Sequence, residues 1–524
     1  MKNTYQFGDV PMVTKFGYTY PDISLGQMLD ISAKHCPERT AIIFEDKEIK
    51  YKEFAQISNR IANGLVFMGV RKGDRVANYM QSGADFIFCS YGIWYTGAYH
   101  VPVNPMLVER ELEYILNHSG TKVVFTDETC SPTLKKVLPR AKTVEKVVYC
   151  GEKPEPDMIN FKDWVEKQSD EPVKIEINPV EDIANLLYTS GTTGVPKGSM
   201  NTHGNLISSI KSAIEGWGLS EGTVILYGVP MFNLYGLYYQ VGLPFYLRST
   251  LIIPSPRWDP LKFLEANQRY KPEMWEFITP MYVSLCMVPD IDKYDFSNVR
   301  IACNGGARLP PELARKFKEL TGVTINNNYG STEDGLITSN PVEDMRIDTI
   351  GKAVPCAEVK VFDDNDKEVP VGEVGEIVVR GPSIFKGYYE MPSETEEAMR
   401  SGWFHTGDAG WMDEDGYFHF TDRKKDLIIT SGFNVMPAEV EDVLYGHPAV
   451  QDAAVVGVSD PYRGEMVKAY ILLKPEQEVS AEQIEKFCRE RLAAYKIPRQ
   501  IEFVDYMPRT ASGKVLRRAF KEEK

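Results

Sequence analysis

Residues 188–200 read YTSGTTGVPKGSM, a run of glycines, hydroxyl residues and one lysine that is typical of a phosphate-binding loop. The Walker pattern of NTPases would place a glycine at position 196 and a serine or threonine at position 198. Pro196 and Gly198 stand there instead, so the hydroxyl that ligates magnesium in that pattern is missing. The alternative interpretation is an ordinary Ser/Thr/Gly/Pro surface loop.

The residues on either side of this loop favour the phosphate-binding interpretation. DIANLLYTS, which ends at Ser190, is predicted to be a strand, and residues 205–215 are predicted to be a helix with Leu206, Ile210 and Ile214 on one face. Strand, glycine loop and helix in that order are typical of phosphate binding at the carboxyl end of a strand.

Strands and helices alternate before this loop, which predicts an α/β fold with doubly wound, mostly parallel sheets. From about residue 350 the pattern becomes β-rich, and after Arg423 it becomes a compact α+β unit of about a hundred residues. We therefore expect a large N-terminal domain with a β-rich subdomain over residues 1–424. A small, mobile α+β C-terminal domain is expected over residues 425–524, with the boundary in the polar stretch DRKKD.

Composition narrows the classes of function. The chain has 524 residues, 43% hydrophobic and 25% charged, with no apolar run of the ~18 residues that a membrane span needs. A net charge of −15 argues against a nucleic-acid partner. Eight scattered cysteines without a CxxC pair fit a reducing compartment, so we expect a cytoplasmic protein, for which a homo-oligomer is possible.

Four more motifs follow the glycine loop in order: NNNYGSTEDG (326–335), GWFHTGD (402–408), DRKKDLIITSGFNVMPAEVE (422–441) and PRTASGKVLRR (508–518). Together the five motifs resemble the adenylate-forming superfamily of acyl-CoA synthetases, luciferases and nonribosomal adenylation domains. VPVNPMLVERELEYILNHSG (101–120) is similar to fatty-acyl- and aryl-CoA ligases. The resemblance covers nearly the whole chain and implies an enzyme that uses ATP, Mg²⁺ and coenzyme A.

The resemblance also implies a role for each motif. Lys514 would bridge the acid and the α-phosphate, Thr332 would contact the α-phosphate, and Glu333 would ligate magnesium. Lys425 would be the hinge, and Gly432 and Glu439 would border the coenzyme A channel. The implied nucleotide-binding residues are Thr189, Ser190, Gly191, Thr192, Thr193, Gly194, Lys197, Gly305, Gly306, Ala307, Asn328, Tyr329, Gly330, Asp408 and Arg423. For His405, which lies in the motif GWFHTGD, the alternative to a role in the site is a purely structural one.

The acid pocket is predicted to be aromatic and apolar, which favours a fatty acid, with aromatic or alicyclic acids as alternatives. Its candidate residues are Phe232, Asn233, Tyr235, Gly236, Tyr238, Tyr239, Cys303 and Ile337. Amino-acid-activating relatives carry aspartate where Asn233 stands, and many acyl-CoA ligases carry histidine, so this chain departs from both. The predicted function is ATP-dependent acyl-CoA ligation. The alternatives are a luciferase-like oxygenase and a non-catalytic nucleotide-binding homologue.

Overall fold

The computed structural model describes residues 10–153, 156–189, 196–423, 428–430, 433–460, 463–509 and 515–520. The described strands are β1 Met12–Lys15, β2 Tyr18–Pro21, β3 Thr40–Phe44, β4 Lys47–Lys50, β5 Arg75–Tyr79, β6 Tyr99–Pro102, β7 Val123–Thr126, β8 Lys146–Tyr149, β9 Ile159–Asn160, β10 Ile183–Thr189, β11 Lys197–Thr202, β12 Val224–Leu226, β13 Thr250–Ile253, β14 Met274–Phe277, β15 Ile301–Asn304, β16 Ile325–Ser331, β17 Gly335–Ser339, β18 Lys352–Ala353, β19 Glu358–Phe362, β20 Gly375–Arg380, β21 Gly387–Tyr388, β22 Phe404–Met412, β23 Phe418–Arg423, β24 Ile428–Thr430, β25 Phe433–Val435, β26 Val450–Asp460, β27 Gly464–Leu473 and β28 Gln500–Phe503.

The described α-helices are α1 Leu25–His35, α2 Tyr51–Phe67, α3 Ala84–Tyr95, α4 Glu109–Ser119, α5 Ser131–Val137, α6 Phe161–Glu166, α7 His203–Trp217, α8 Leu234–Gly236, α9 Leu243–Tyr246, α10 Pro260–Tyr270, α11 Thr279–Cys286, α12 Pro311–Thr321, α13 Pro392–Ala398, α14 Pro437–Tyr445 and α15 Ala481–Arg489. A π-helical segment, Leu237–Gly242, joins α8 to α9. None of the helices in the described ranges is long and apolar enough to cross a membrane.

Two large sheets form the centre of the N-terminal domain. The first has the order β21-β11-β10-β6-β5-β7-β8-β9, and the second has the order β18-β17-β16-β15-β14-β12-β13-β3-β4. The predicted parallel sheets are confirmed, because six neighbouring strands run parallel in each sheet and antiparallel strands flank them. The largest hydrophobic cluster lies between these sheets and contains residues of α1, α2, α3 and α7.

The predicted order of strand, loop and helix around the glycine loop is wrong in one respect. β11 follows the loop and pairs antiparallel with β10, with Thr189 opposite Lys197. The helix begins only after β11, at His203, where Thr202 accepts a hydrogen bond from the Asn205 backbone N–H as its N-cap. The loop therefore connects the two strands of a hairpin, and it does not lie at the N-terminus of the helix.

Two smaller sheets complete the fold. β19, β20, β22 and β23 form the β-rich subdomain, all pairs antiparallel. β24–β28 form the sheet of the small C-terminal domain, with α14 and α15 packed on it. Ser480 and Gln483 form a capping box at the start of α15.

Candidate active site

The site motifs meet where three sheets come together. β10 of the first sheet ends at Thr189, β15 and β16 of the second sheet end at Asn304 and Ser331, and β22 of the third sheet carries Asp408. The carboxyl ends of parallel strands are the usual ligand-binding edge of an open α/β sheet. The predicted nucleotide-binding residues on these strands therefore lie around one cleft.

Tyr329 and Asp408 are directly connected in this cleft. The Tyr329 hydroxyl donates a 2.7 Å hydrogen bond to Asp408 Oδ2. Burial, and then the nearby Asp408 carboxylate, raise the pKa of Tyr329 well above its ordinary value, so the phenol stays protonated and remains a donor. Asp408 also lies opposite Arg423 in the β22–β23 register, although the Arg423 side chain lies outside the described residues.

Glu376 holds the turn that carries Asp408. Its Oε1 accepts a 2.9 Å hydrogen bond from the Gly407 backbone N–H, and its Oε2 lies 3.2 Å from His405 Nδ1. Gly407 has φ of 73°, a conformation that favours glycine. His405 is buried and bonded to this carboxylate, which is the structural role considered for it. Nothing in the sequence motif itself indicated Glu376.

The turn after β15 carries the predicted nucleotide-binding residues Gly305, Gly306 and Ala307. The Gly305 N–H donates to the Phe277 carbonyl oxygen at 3.1 Å, and Gly306 has φ of 70°. A Cβ at Gly305 would lie 3.0 Å from the Tyr235 ring, a tight contact that any larger residue could make only if the ring shifted. Asn328 is buried, and its Oδ1 accepts a 2.6 Å hydrogen bond from Ser339. The turn thus brings a predicted nucleotide-binding residue, Gly305, against Tyr235 of the predicted acid pocket.

Glu333 is held by two hydroxyl groups. Tyr388 donates to Glu333 Oε1 and Ser331 donates to Oε2, each at 2.9 Å. The Lys197 ammonium lies 4.9 Å above the centre of the Tyr388 ring. Tyr388 therefore contacts both the predicted magnesium ligand and the predicted phosphate-binding lysine. Tyr388 was not among the predicted site residues. It is the first tyrosine of FKGYYE and lies on β21, which pairs with β11 of the glycine-loop hairpin.

This arrangement fits a magnesium ion that is bound mainly by substrate phosphates. Mg²⁺ prefers oxygen ligands and in nucleotide sites uses one or two carboxylates together with phosphate oxygens and water. Glu333 supplies one oriented carboxylate. Within the described ranges, no group of three or more His, Cys, Asp and Glu side chains is arranged to hold a metal by itself.

The loop between Gly330 and Glu333 is fastened to the glycine-loop hairpin. Ser199 and Asn201 on β11 donate hydrogen bonds of 3.3 and 3.2 Å to the Thr332 carbonyl oxygen. These bonds hold the backbone of the half-buried Thr332 against β11.

The predicted acid pocket centres on the helix over residues 234–246. Asn233 Oδ1 accepts a 2.9 Å hydrogen bond from the Gly236 N–H and caps the start of this helix, so asparagine has a local structural role here. Gly236 packs so closely that a Cβ would lie 2.0 Å from the Pro230 carbonyl oxygen. Tyr235 and Tyr239 pack edge to face at 5.7 Å.

The remaining pocket candidates divide into two groups. Phe232, Tyr238, Tyr239 and Cys303 belong to the hydrophobic cluster that lies against this helix. Ile337 belongs to a different cluster, with Val379, Phe385 and Phe404, on the side of the β-rich subdomain. The structure therefore does not bring Ile337 to this wall, and the preceding residue, Leu336, packs there instead. Successive residues of a strand point to opposite faces, which explains the difference.

The first turn of α14 joins the small domain to the large one. Arg308, directly after the 305–307 turn, donates a 2.9 Å hydrogen bond to the Ala438 carbonyl oxygen and pairs with Asp442. Asp422 accepts hydrogen bonds from the Ala438 N–H and from Arg517, at 2.9 and 3.0 Å. Arg517, three residues after Lys514, is thereby tied to the end of β23.

Glu439 forms an ion pair with Lys496, whose ammonium lies 2.6 and 2.7 Å from its two carboxylate oxygens. Lys496 was not among the predicted site residues. Several predicted residues lie outside the described part of the chain, namely Ser190, Gly191, Thr192, Thr193, Gly194, Lys425, Gly432 and Lys514. Their roles stay predictions.

Comparisons with known proteins assign the family. The family model described as AMP-binding enzyme matches residues 29–389, and the model of its C-terminal domain matches residues 439–514. The chain is 34% identical over 532 residues to the long-chain-fatty-acid–CoA ligase of Bacillus subtilis (strain 168), covering 96% of this chain and 95% of the relative.

Two solved structures share the fold over nearly their full lengths. The anthranilate CoA ligase AuaEII in complex with anthranoyl-AMP has a TM-score of 0.90 and 30% identity, and 99% of each chain is covered. ATP-bound MatB from Rhodopseudomonas palustris has a TM-score of 0.89 and 30% identity, covering 96% of this chain and 98% of MatB. These likenesses lead to one conclusion: the chain belongs to the AMP-binding enzyme family and is an acid–thiol ligase, an acyl-CoA synthetase.

Proposed function

We propose that this enzyme joins a hydrophobic carboxylic acid to AMP from ATP, releasing pyrophosphate, and then transfers the acyl group to the thiol of coenzyme A, releasing AMP. The observation that carries the proposal is the connected set Tyr329–Asp408 and Glu333–Tyr388–Lys197 in one cleft. The first pair suits a nucleoside, and the second group suits a polyphosphate with its cation.

The chemistry explains why such groups are needed together. A carboxylate is a poor electrophile because its leaving group would be oxide, whereas an acyl-AMP has a phosphate leaving group that a thiol can displace. Bringing a carboxylate to the α-phosphate sets one anion against another, so fixed positive charge and oriented donors must lie where the charge builds up. We assign these roles to Lys197, the first residue of β11, and to the Thr332 hydroxyl in the loop after β16.

The remaining roles are assigned in the same way. Asp408 accepts hydrogen bonds from the ribose hydroxyls, and Tyr329 stacks on the adenine beside the 305–307 turn. Mg²⁺, when bound at Glu333, neutralises charge on the pyrophosphate. Lys514 reaches the cleft in the first half-reaction, and rotation of the small domain about Lys425 then opens the route along Gly432 and Glu439 for coenzyme A.

A fatty acid is the first candidate for the acid, in line with the similarity to the Bacillus ligase over 96% of this chain. An aromatic acid is the second candidate. The packed rings of Tyr235 and Tyr239, with Trp217 against Tyr239 at 5.5 Å, favour it because they present flat and rigid walls.

Pyrophosphate release over a panel of fatty, aromatic and alicyclic acids, with and without coenzyme A, tests the proposal. We expect acid-dependent release in both conditions and acyl-CoA only when coenzyme A is present. Release without acyl-CoA, accompanied by oxygen consumption or light, would instead support a luciferase-like oxygenase. A panel with no acid-dependent release would contradict the assignment of substrates altogether.

A further inference from the structure

A carboxyl group is buried in the strand beneath the predicted acid pocket. Glu276 is the third residue of β14 and is 0% exposed. It lies opposite Cys303 in the parallel register of β14 and β15, near the carboxyl ends of both strands. Met274, two residues earlier on the same face, packs in the same hydrophobic cluster as Cys303 and Tyr239.

Among the described residues, only one of the two Glu276 oxygens has a hydrogen-bond partner. Gln240, in the π-helical segment, donates a 3.0 Å hydrogen bond to Glu276 Oε2, and the Gln240 Oε1 accepts from the Gly228 N–H at 3.4 Å. Over the ranges that the structure describes, Glu276 Oε1 has no hydrogen-bond partner. Burial raises the pKa of Glu276 well above its ordinary value, which favours the protonated form. Because Oε2 accepts from Gln240, Oε1 is the oxygen that can carry the proton and donate.

A second unsatisfied group lies nearby. The Tyr235 hydroxyl is buried and likewise has no hydrogen-bond partner among the described residues. Tyr235 packs on the turn that follows Cys303, the residue opposite Glu276, because a Cβ at Gly305 would lie 3.0 Å from the Tyr235 ring. Leaving a buried donor or acceptor unpaired costs about 1–3 kcal/mol, so two such groups on one wall call for an explanation.

We propose that the acid substrate carries a hydroxyl group remote from its reacting carboxylate, and that Glu276 and Tyr235 bind this hydroxyl. This inference rests on the proposed function and refines its substrate class. The hydroxyl oxygen accepts from Glu276 Oε1–H, and its proton is donated to the Tyr235 oxygen. Both aromatic and aliphatic acids can carry such a hydroxyl group. Glu276 and Tyr235 therefore select for the hydroxyl group and not for the ring or chain that bears it.

The test compares acids that differ only in this group. The pairs are benzoate with 3- and 4-hydroxybenzoate, and octanoate with 8-hydroxyoctanoate. Initial rates of pyrophosphate release give kcat/KM for each acid with the wild type, Glu276→Leu and Tyr235→Phe. Met274→Leu is the matched control, because it changes the same face of β14 without a polar group.

In at least one pair, we expect the wild type to prefer the hydroxylated acid by about tenfold or more. Glu276→Leu should abolish that preference while the unsubstituted acid keeps or gains activity. Tyr235→Phe should reduce the preference several-fold, and this decides the matter if Glu276→Leu does not fold. Met274→Leu should change both members of a pair by the same factor.

Two results would overturn the inference, and they are distinguishable. Turnover of several acids by the wild type with no preference in any pair, or a preference that survives both substitutions, would overturn the role of Glu276 and Tyr235 alone. A complete lack of acid-dependent pyrophosphate release would overturn the proposed function and this inference with it.

Discussion

The Tyr329 hydroxyl donates a 2.7 Å hydrogen bond to Asp408 Oδ2, and this bond joins the second large sheet to the β-rich subdomain at the nucleotide cleft. The predicted adenine-stacking residue therefore also orients the predicted ribose-binding carboxylate. Tyr329 and Asp408 belong to different motifs and lie 79 residues apart in sequence, and this hydrogen bond connects them directly.

Tyr329→Phe tests the role of this hydrogen bond, because the substitution removes only the hydroxyl and keeps the ring. A hydrogen bond to a charged group contributes about 1.5–3 kcal/mol, so we expect the KM for ATP to rise roughly tenfold. The KM for the acid should change little. Tyr417→Phe is the matched control, since the Tyr417 hydroxyl bonds Asp344 in the same way at 2.8 Å. Equal effects of the two substitutions would argue against a specific role of the Tyr329 hydroxyl.

Tyr388→Phe should weaken the enzyme's response to magnesium. Losing the hydroxyl frees Glu333 Oε1 from its 2.9 Å partner and lets the carboxylate reorient. We expect the Mg²⁺ concentration at half-maximal pyrophosphate release to rise roughly three- to tenfold. Tyr389→Phe, at the next residue, is the control. An unchanged magnesium dependence would remove Tyr388 from the proposed phosphate site.

Lys514→Ala should separate the two half-reactions. If Lys514 acts only in adenylation, the substitution should lower acid-dependent pyrophosphate release by about 10²-fold or more. Formation of acyl-CoA from supplied acyl-AMP should be retained within a few-fold. Lys474→Ala, at an exposed lysine of the same domain that bonds the Pro448 carbonyl oxygen, is the control. Equal loss of both half-reactions would contradict the proposed role.

Acid should destabilise the fold through His203, which is buried and whose Nδ1 accepts a 3.3 Å hydrogen bond from the Leu25 backbone N–H. Burial lowers the pKa of His203 to about 3. The unfolded chain takes up a proton below about pH 6.5 and the folded chain does not, so stability falls as the pH drops from about 6.5 towards 3.

Urea unfolding at several pH values checks this prediction. His203→Gln should flatten the pH dependence of the free energy of unfolding by up to about 1.4 kcal/mol per pH unit between pH 6 and 4. Above pH 7.5 the slopes of variant and wild type should coincide. The exposed His35 supplies the control, His35→Gln. An unchanged slope in His203→Gln would show that the imidazole is not kept neutral by the fold.

Regular elements with strong periodicity were predictable from the sequence. The helix Tyr51–Phe67 and the strands Ile183–Thr189 and Gly464–Leu473 fall where hydrophobic patterning places them. β11 was missed because KGSMNT is short and polar, and its pairing with β10 is a tertiary contact. The capping signal at Thr202 and Asn205 marked the true start of the next helix.

The candidate site was predictable as a set of motifs but not as a set of contacts. The family resemblance placed Tyr329, Glu333 and Asp408 in one cleft, yet their partners Tyr388 and Glu376 come from strands whose register no local pattern specifies. Glu276 carried a readable signal, because a carboxylate inside the apolar run MWEF conflicts with its surroundings. Asn233 was predicted to be a pocket residue. Its hydrogen bond to the Gly236 N–H could not be predicted, because the sequence does not show that a helix begins at residue 234.

The π-helical segment at Leu237–Gly242 has a consequence for how substrate range can change in evolution. Such a turn commonly marks one residue more than a regular α-helix would hold. Because the wide turn absorbs the extra residue locally, deleting a single codon there would restore regular winding and leave the later side chains in their orientation. A change in one turn beside Tyr235 could thus arise in one genetic step, while the strands of both large sheets keep their register.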